Sequence, residues 1–316
     1  MKNRYAGGVP LLRALTLILA SVVVPVTWAS PVFYEEFDGE VLDTHIHAGD
    51  PDYYNPNSRW IVGNWLGAGF KAVDWQPGHV SVGNGTLKLV LDRTGDDGRS
   101  CPDGCARDGG SRAFAGGHLL TRERFGTGVR VAVRMKAPAG DGLVTGAFRY
   151  ANASGDEVDF EFLGKDPGTV QLNYFIGGQG VVEHERYITR RNSTRDDSNA
   201  VKILAEDYRF TDFHTYAFEA VDSVLRWYID GQQVHQVDVG QVLDEGQVRL
   251  ELWSPVEGSP TDTYWAGHFE GQRAVAEYDW VRITAVPLPP AWLLFGGAMP
   301  LLLRNRRGKG GTRDKR

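Results

Sequence analysis

Cysteine is almost missing from this chain: its 316 residues include two, Cys101 and Cys105, in the segment Cys-Pro-Asp-Gly-Cys. A disulfide-framed scaffold is thereby excluded. Zinc would need two further ligands, and no Cys or His pair stands nearby in sequence. The spacing also rules out a redox Cys-x-x-Cys motif. In an exported protein the pair predicts one small local disulfide that pins a loop. His45 and His47 form an isolated H-x-H pair without a third ligand, which reads as surface or hydrogen-bonded structure rather than a metal site. Excess positive charge is missing too. Residues 31–285 carry 24 Lys and Arg against 39 Asp and Glu, a net charge of −15. No nucleic-acid partner is expected for such a surface. A neutral polysaccharide is electrostatically acceptable, a strongly anionic one less so.

Helical periodicity of useful length is also lacking between Phe33 and Ile283. The chain runs instead through short alternating or β-branched stretches punctuated by Gly, Asn and Asp. Val80–Val82, Thr86–Leu91, Gly128–Lys136, Leu143–Tyr150, Val170–Phe175, Thr215–Val221, Leu225–Ile229 and Val248–Trp253 read as strands. Asn84-Gly85 and Asp230-Gly231 are hairpin turn signals. An all-β sandwich of two antiparallel sheets is the architecture this pattern predicts. Residues 92–116 and the polar stretch Glu185 to Asp212 read as long loops, the second bordering any cleft.

The two ends differ from the middle. Lys2, Arg4 and Arg13 precede the apolar stretch Ala14 to Val26 and then Thr27-Trp28-Ala29, so residues 1–29 read as a secretory signal for a signal peptidase. The stretch is too short to span a membrane comfortably. Residues 286–316 hold Val286-Pro287-Leu288-Pro289-Pro290, the apolar segment Ala291 to Leu303, and then Arg304, Arg306 and Arg307. This tail resembles the PEP-CTERM class of bacterial sorting signals. That resemblance implies a short transmembrane segment, transient inner-membrane anchoring, an exosortase-type processing enzyme and a Gram-negative host that exports the protein to its surface or beyond. A plain tail anchor with basic residues inside is the other reading.

Between these ends lies Asp156 to Phe162, a strict alternation of acidic and apolar residues. On a strand, Glu157, Asp159 and Glu161 share one face while Val158, Phe160 and Phe162 share the other. Glu157 and Glu161 have Cα atoms about 13 Å apart on a strand. Side chains leaning toward each other can approach the roughly 5–5.5 Å carboxyl separation of a retaining glycosidase. A solvated acidic face is the bland alternative, although like charges along one strand repel.

Glu157-Val158-Asp159-Phe160-Glu161-Phe162-Leu163-Gly164-Lys165-Asp166 resembles the active-site strand of glycoside hydrolase family 16. It is most similar to the lichenases, which lack the extra residue that laminarinases and many agarases carry between the second and third acids. Further blocks match in order: Val170 to Phe175, Phe213 to Phe218, Trp227 to Gly231 and Tyr278 to Arg282. The resemblance implies a concanavalin-like β-jelly roll over residues 30–285 with a concave glycan cleft. It makes Glu157 the nucleophile, Glu161 the general acid/base and Asp159 the helper that tunes Glu157. Phe148, Tyr150, Asn173, Trp253 and Trp265 match substrate-contacting positions. Two positions depart from the lichenase pattern: Glu251 replaces an Asn, and Phe175 replaces a Tyr. No cofactor is implied for catalysis. A structural calcium is, held by the carboxylate of Asp279 with backbone oxygens near Glu36 and Gly85.

The expected function is secreted endo-β-glucanase action on β-1,4 bonds of mixed-linkage β-1,3-1,4-glucan with retention. The same residues also suit a hydrolase or transglycosylase acting on xyloglucan or a bacterial exopolysaccharide. A non-catalytic glycan-binding module would have no use for Glu157 and Glu161 at catalytic spacing.

Overall fold

The computed structural model describes residues 31–39, 58–94, 112–179 and 184–286. Cys101, Cys105, His45, His47, the leader and nearly all of the tail lie outside them. Among the described residues no helix is long and apolar enough to cross a membrane.

The strands follow the chain as β1 (Pro31–Glu35), β2 (Trp60–Val62), β3 (Val73–Trp75), β4 (Val80–Gly83), β5 (Thr86–Arg93), β6 (Phe114–Gly116), β7 (His118–Thr121), β8 (Val129–Lys136) and β9 (Val144–Tyr150). They continue as β10 (Glu157–Leu163), β11 (Thr169–Phe175), β12 (Arg186–Arg190), β13 (Ala200–Leu204), β14 (His214–Val221), β15 (Val224–Ile229), β16 (Gln232–Asp238), β17 (Gln247–Trp253) and β18 (Arg273–Ala285). One sheet has the order β16-β15-β14-β8-β18-β5-β6-β3, with β1 beside β18 and β4 beside β5; the other runs β13-β12-β11-β10-β9-β17-β7-β2. Packed together they make the expected jelly-roll sandwich.

Hydrophobic burial explains why β10 adopts its register. Val158, Phe160 and Phe162 are each at most 1% exposed and face the core between the sheets. Phe162 meets Tyr216 edge-on at 4.6 Å between centroids, and Phe160 meets the same ring at 5.5 Å. A slip of one residue would bury three acids instead. Trp227, from the opposite sheet, spans the core and donates its indole N–H to the carbonyl of Asp159 at 3.0 Å. This bond satisfies the polar end of a buried indole and ties the acidic strand to the sheet behind it.

Both expected hairpin turns form. Asn84 and Gly85 have φ of 56° and 74°, Asp230 and Gly231 49° and 80°. Positive φ at both central residues is the signature of the type I′ hairpin, whose twist matches the strands.

Three expectations need correction. Residues 185–212 are not simply a loop: β12 and β13 form there and pair in parallel, Ile188 opposite Val201, extending the second sheet by two strands. Their buried residues, Tyr187, Ile188, Thr189 and Leu204, are too interspersed with charge to stand out. Strands β5 and β6 claim both ends of the 92–116 loop. The sheets are mixed rather than purely antiparallel, because β3 and β6 also run parallel. A 3-10 turn, Pro77–His79, and a π-helical turn, Thr261–Ala266, interrupt the strands.

Candidate active site

Pairing across the second sheet sets out the site as three rows. Glu157 lies between Tyr150 and Phe175, with Gln247 beyond Tyr150. Asp159 lies between Phe148 and Asn173, with Arg249 beyond Phe148. Glu161 lies between Gly146 and Gln171, with Glu251 and then His118 beyond Gly146. Pairing of β10 with β9 is regular from Glu157 to Leu163, without a bulge. The three acids therefore stay on one face.

That face floors a cleft of about 820 Å³ lined by all three acids and by Phe148, Tyr150, Asn173, Phe175, Glu251, Trp253 and Trp265. Every catalytic or substrate-contacting residue expected from the sequence is thus brought together. Trp265, on the π-helical turn, donates its indole N–H to Gln171 at 2.8 Å, beside Glu161. Trp253 is deeper than a free platform would be: it is 2% exposed and covered by Phe70, whose ring lies 5.5 Å away edge-on.

Burial and neighbouring negative charge raise the proton affinity of all three acids. Glu157 is pushed up to about 7, first by burial and then by Glu251, with Lys71 and Arg249 opposing. Glu161 is pushed up to about 8 by burial and by Glu157, with Lys71 again opposing. Asp159 sits well above the carboxylate range because of burial and of both neighbours. Its Oδ1 is buried without a hydrogen-bond partner among the described residues.

Several cleft residues escaped sequence reasoning: Lys71, Phe70, His118, Gln171, Glu185 and Arg249. Gln171 and Arg249 carried a legible signal, since they alternate with Asn173 and with Glu251 on strands already recognised. Lys71 gave none, lying 180 residues from the Glu251 carboxylate it binds.

Asp279 sits at a bulge of β18 between Tyr278 and Trp280. There β18 leaves β5, with Leu87 opposite Tyr278, and meets β1, with Glu35 opposite Val281. Glu36 and Gly85 lie one residue from Glu35 and two from Leu87 in these pairings. The Asp279 carboxylate, however, accepts from Arg134 Nε at 2.9 Å. No group of three or more His, Cys, Asp or Glu suited to a metal occurs among the described residues.

Comparison with known proteins agrees with this geometry. The family model described as glycosyl hydrolases family 16 matches residues 70–281. The chain belongs to glycosyl hydrolase family 16. A β-glucanase of Acetivibrio thermocellus is 31% identical over 288 residues, covering 89% of this chain and 72% of that protein. A solved β-1,3-1,4-glucanase (lichenase) derived from a mouse hindgut metagenome superposes with a TM-score of 0.60 at 25% identity, over 80% of this chain and 98% of its own. An endo-β-1,3-glucanase from Pyrococcus furiosus shares the fold at 20% identity, with a TM-score of 0.60 over 81% of this chain and 94% of its own. This family 16 chain is therefore a glycoside hydrolase, and its unbulged β10 is the structural counterpart of the motif spacing.

Proposed function

We propose that this protein is an endo-β-glucanase that cleaves β-1,4 bonds in mixed-linkage β-1,3-1,4-glucan with retention of configuration. The observation that carries the reading is the unbulged row of Glu157, Asp159 and Glu161 along one cleft face. Glu157, ionised, attacks the anomeric carbon as the leaving oxygen departs. Glu161 keeps a proton for the leaving oxygen and, once deprotonated, activates the water that hydrolyses the glycosyl-enzyme. Asp159, placed between them and held by burial above the usual carboxylate range, supports the charge on Glu157. The cleft aromatics supply apolar faces for pyranose rings, and Asn173 and Gln171 supply polar edges.

Glu251 keeps a second reading in play with the same chemistry: hydrolysis or transglycosylation of xyloglucan or a bacterial exopolysaccharide. Incubation with barley mixed-linkage glucan, laminarin, xyloglucan and agarose, followed by product sizing, separates the two. Oligosaccharides from barley glucan, absent with Glu157→Ala, are the expected result. Turnover of another glycan alone would replace the substrate assignment.

Asp279, with backbone oxygens near Glu36 and Gly85, would hold a structural calcium, which would stabilise the fold. Loss of Tm in chelator, restored by calcium, is the expected outcome, and an unchanged Tm would remove the ion. The composition of residues 1–29 and 286–316 supports export to the cell surface, with a sorting enzyme acting on the tail.

A further inference from the structure

One charge in the cleft has no part in the double-displacement scheme. Lys71 Nζ is bound to Glu251 Oε1, and both side chains are largely buried, 12% and 7% exposed. The ammonium lies 4.7 Å from the centroid of Trp253, 5.6 Å from Phe70 and 5.9 Å from Trp75, so three aromatic rings restrict it. Two such groups taken out of water cost several kcal/mol of desolvation, and an apolar pair would fill the same place at less cost.

The sheet rows show what this pair faces. Glu251 and Glu161 occupy the same row, separated only by Gly146. A Cβ on Gly146 would already stand 3.2 Å from Glu251 Cγ and 3.3 Å from the Phe148 ring. Across that bare glycine, two strand spacings or about 9–10 Å, nothing on the floor intervenes between the ion pair and Glu161.

We propose that Lys71, locked by Glu251 and its aromatic cage, is a positioning residue of the active site whose ammonium offsets the negative charge of Glu157 and Glu161. The inference rests on the glycosidase reading of those two acids. Every charged or titratable group facing them enters the balance. Glu157, Asp159 and Glu161 come from β10, Arg249 and Glu251 from β17, His118 from β7, Tyr150 from β9 and Glu185 from the residue before β12. His118 lies between Trp65 and Trp75, and burial holds its pKa well below the usual range, so it adds no cation near neutrality. Arg249 is stacked over Tyr150 at 4.6 Å and bonded to Asn152 at 2.7 Å. Among these groups Lys71 opposes proton uptake at both Glu157 and Glu161, whereas Glu251 favours it at both. The pair therefore offers a trim with two handles of opposite sign.

The test is the pH dependence of kcat/KM on the glucan that the wild type turns over. Lys71→Met should move both limbs up by about one pH unit, while Lys71→Arg keeps the wild-type profile. Glu251→Gln should move both limbs down. The double variant should return to within a few tenths of a unit of wild type, because both charges leave together. Unmoved limbs in Lys71→Met and in Glu251→Gln would overturn the proposal and leave the pair a packing element. If Lys71→Met fails to fold, Glu251→Gln alone still reads the sign. Carbon NMR titration of the Glu157 and Glu161 carboxyls reports the same shifts without turnover. A wild type inert on every glycan would thus sink the glucanase reading while this inference is decided separately.

Discussion

The two sheets treat charge in opposite ways. On the outer sheet, cross-strand partners neutralise one another: Arg130 with Glu219 at 3.0 Å, Lys136 with Glu277 at 2.9 Å, and Arg134 with Asp279 at 2.9 Å. On the cleft sheet, Glu157, Asp159 and Glu161 stand in line, and no ion pair among the described residues reaches any of them. Like charges on one strand face are destabilising, so a fold that only had to be stable would alternate signs, as the outer sheet does. The imbalance marks where stability has been traded for chemistry.

Glu161→Gln breaks that contrast most strongly. Removing the proton donor should lower kcat/KM on barley glucan by about 10²–10⁴-fold. The same change should raise stability. A carboxyl whose proton affinity is raised by folding, here from 4.5 to about 8, gives stability that is complete below the unfolded value and lost as pH rises through about 8. Thermal melts of the variant should therefore lie a few degrees above wild type at pH 8 and merge with it near pH 4. A Tm lower than wild type at pH 8 would show that the acid is not held against its preference.

At the small end stands Arg130→Gln on the outer sheet. Arg130 is partly exposed and Tyr228 still donates to Glu219 at 2.8 Å, so the pair is not left bare. We expect a loss of about 1 kcal/mol or less in denaturant melts and unchanged turnover. A larger loss would mean that outer-sheet pairing is as costly to disturb as the cleft.

The same contrast governs what the sequence made legible. β10 could be placed from the residues alone because one face is wholly apolar and the other wholly acidic, so period and burial agree. β5, β8, β11, β14, β15 and β17 were likewise legible, each carrying two or more buried apolar residues at alternate positions. β16, with Val234 as its one side chain buried outright, and the parallel pair β12 and β13 were not. Their partners are chosen by tertiary packing rather than by local pattern. The acids and aromatics of the cleft were legible through motif spacing. Lys71 was not, because a loop lysine meets its carboxylate only when the sheets are assembled.

The central claim, that Glu157 and Glu161 act from one face as nucleophile and acid/base, is tested most directly by proton NMR of the first products released from barley glucan. Retention predicts that the β-anomer appears first and then mutarotates. Initial release of the α-anomer would contradict the account, because it would require water rather than Glu157 to attack the anomeric carbon.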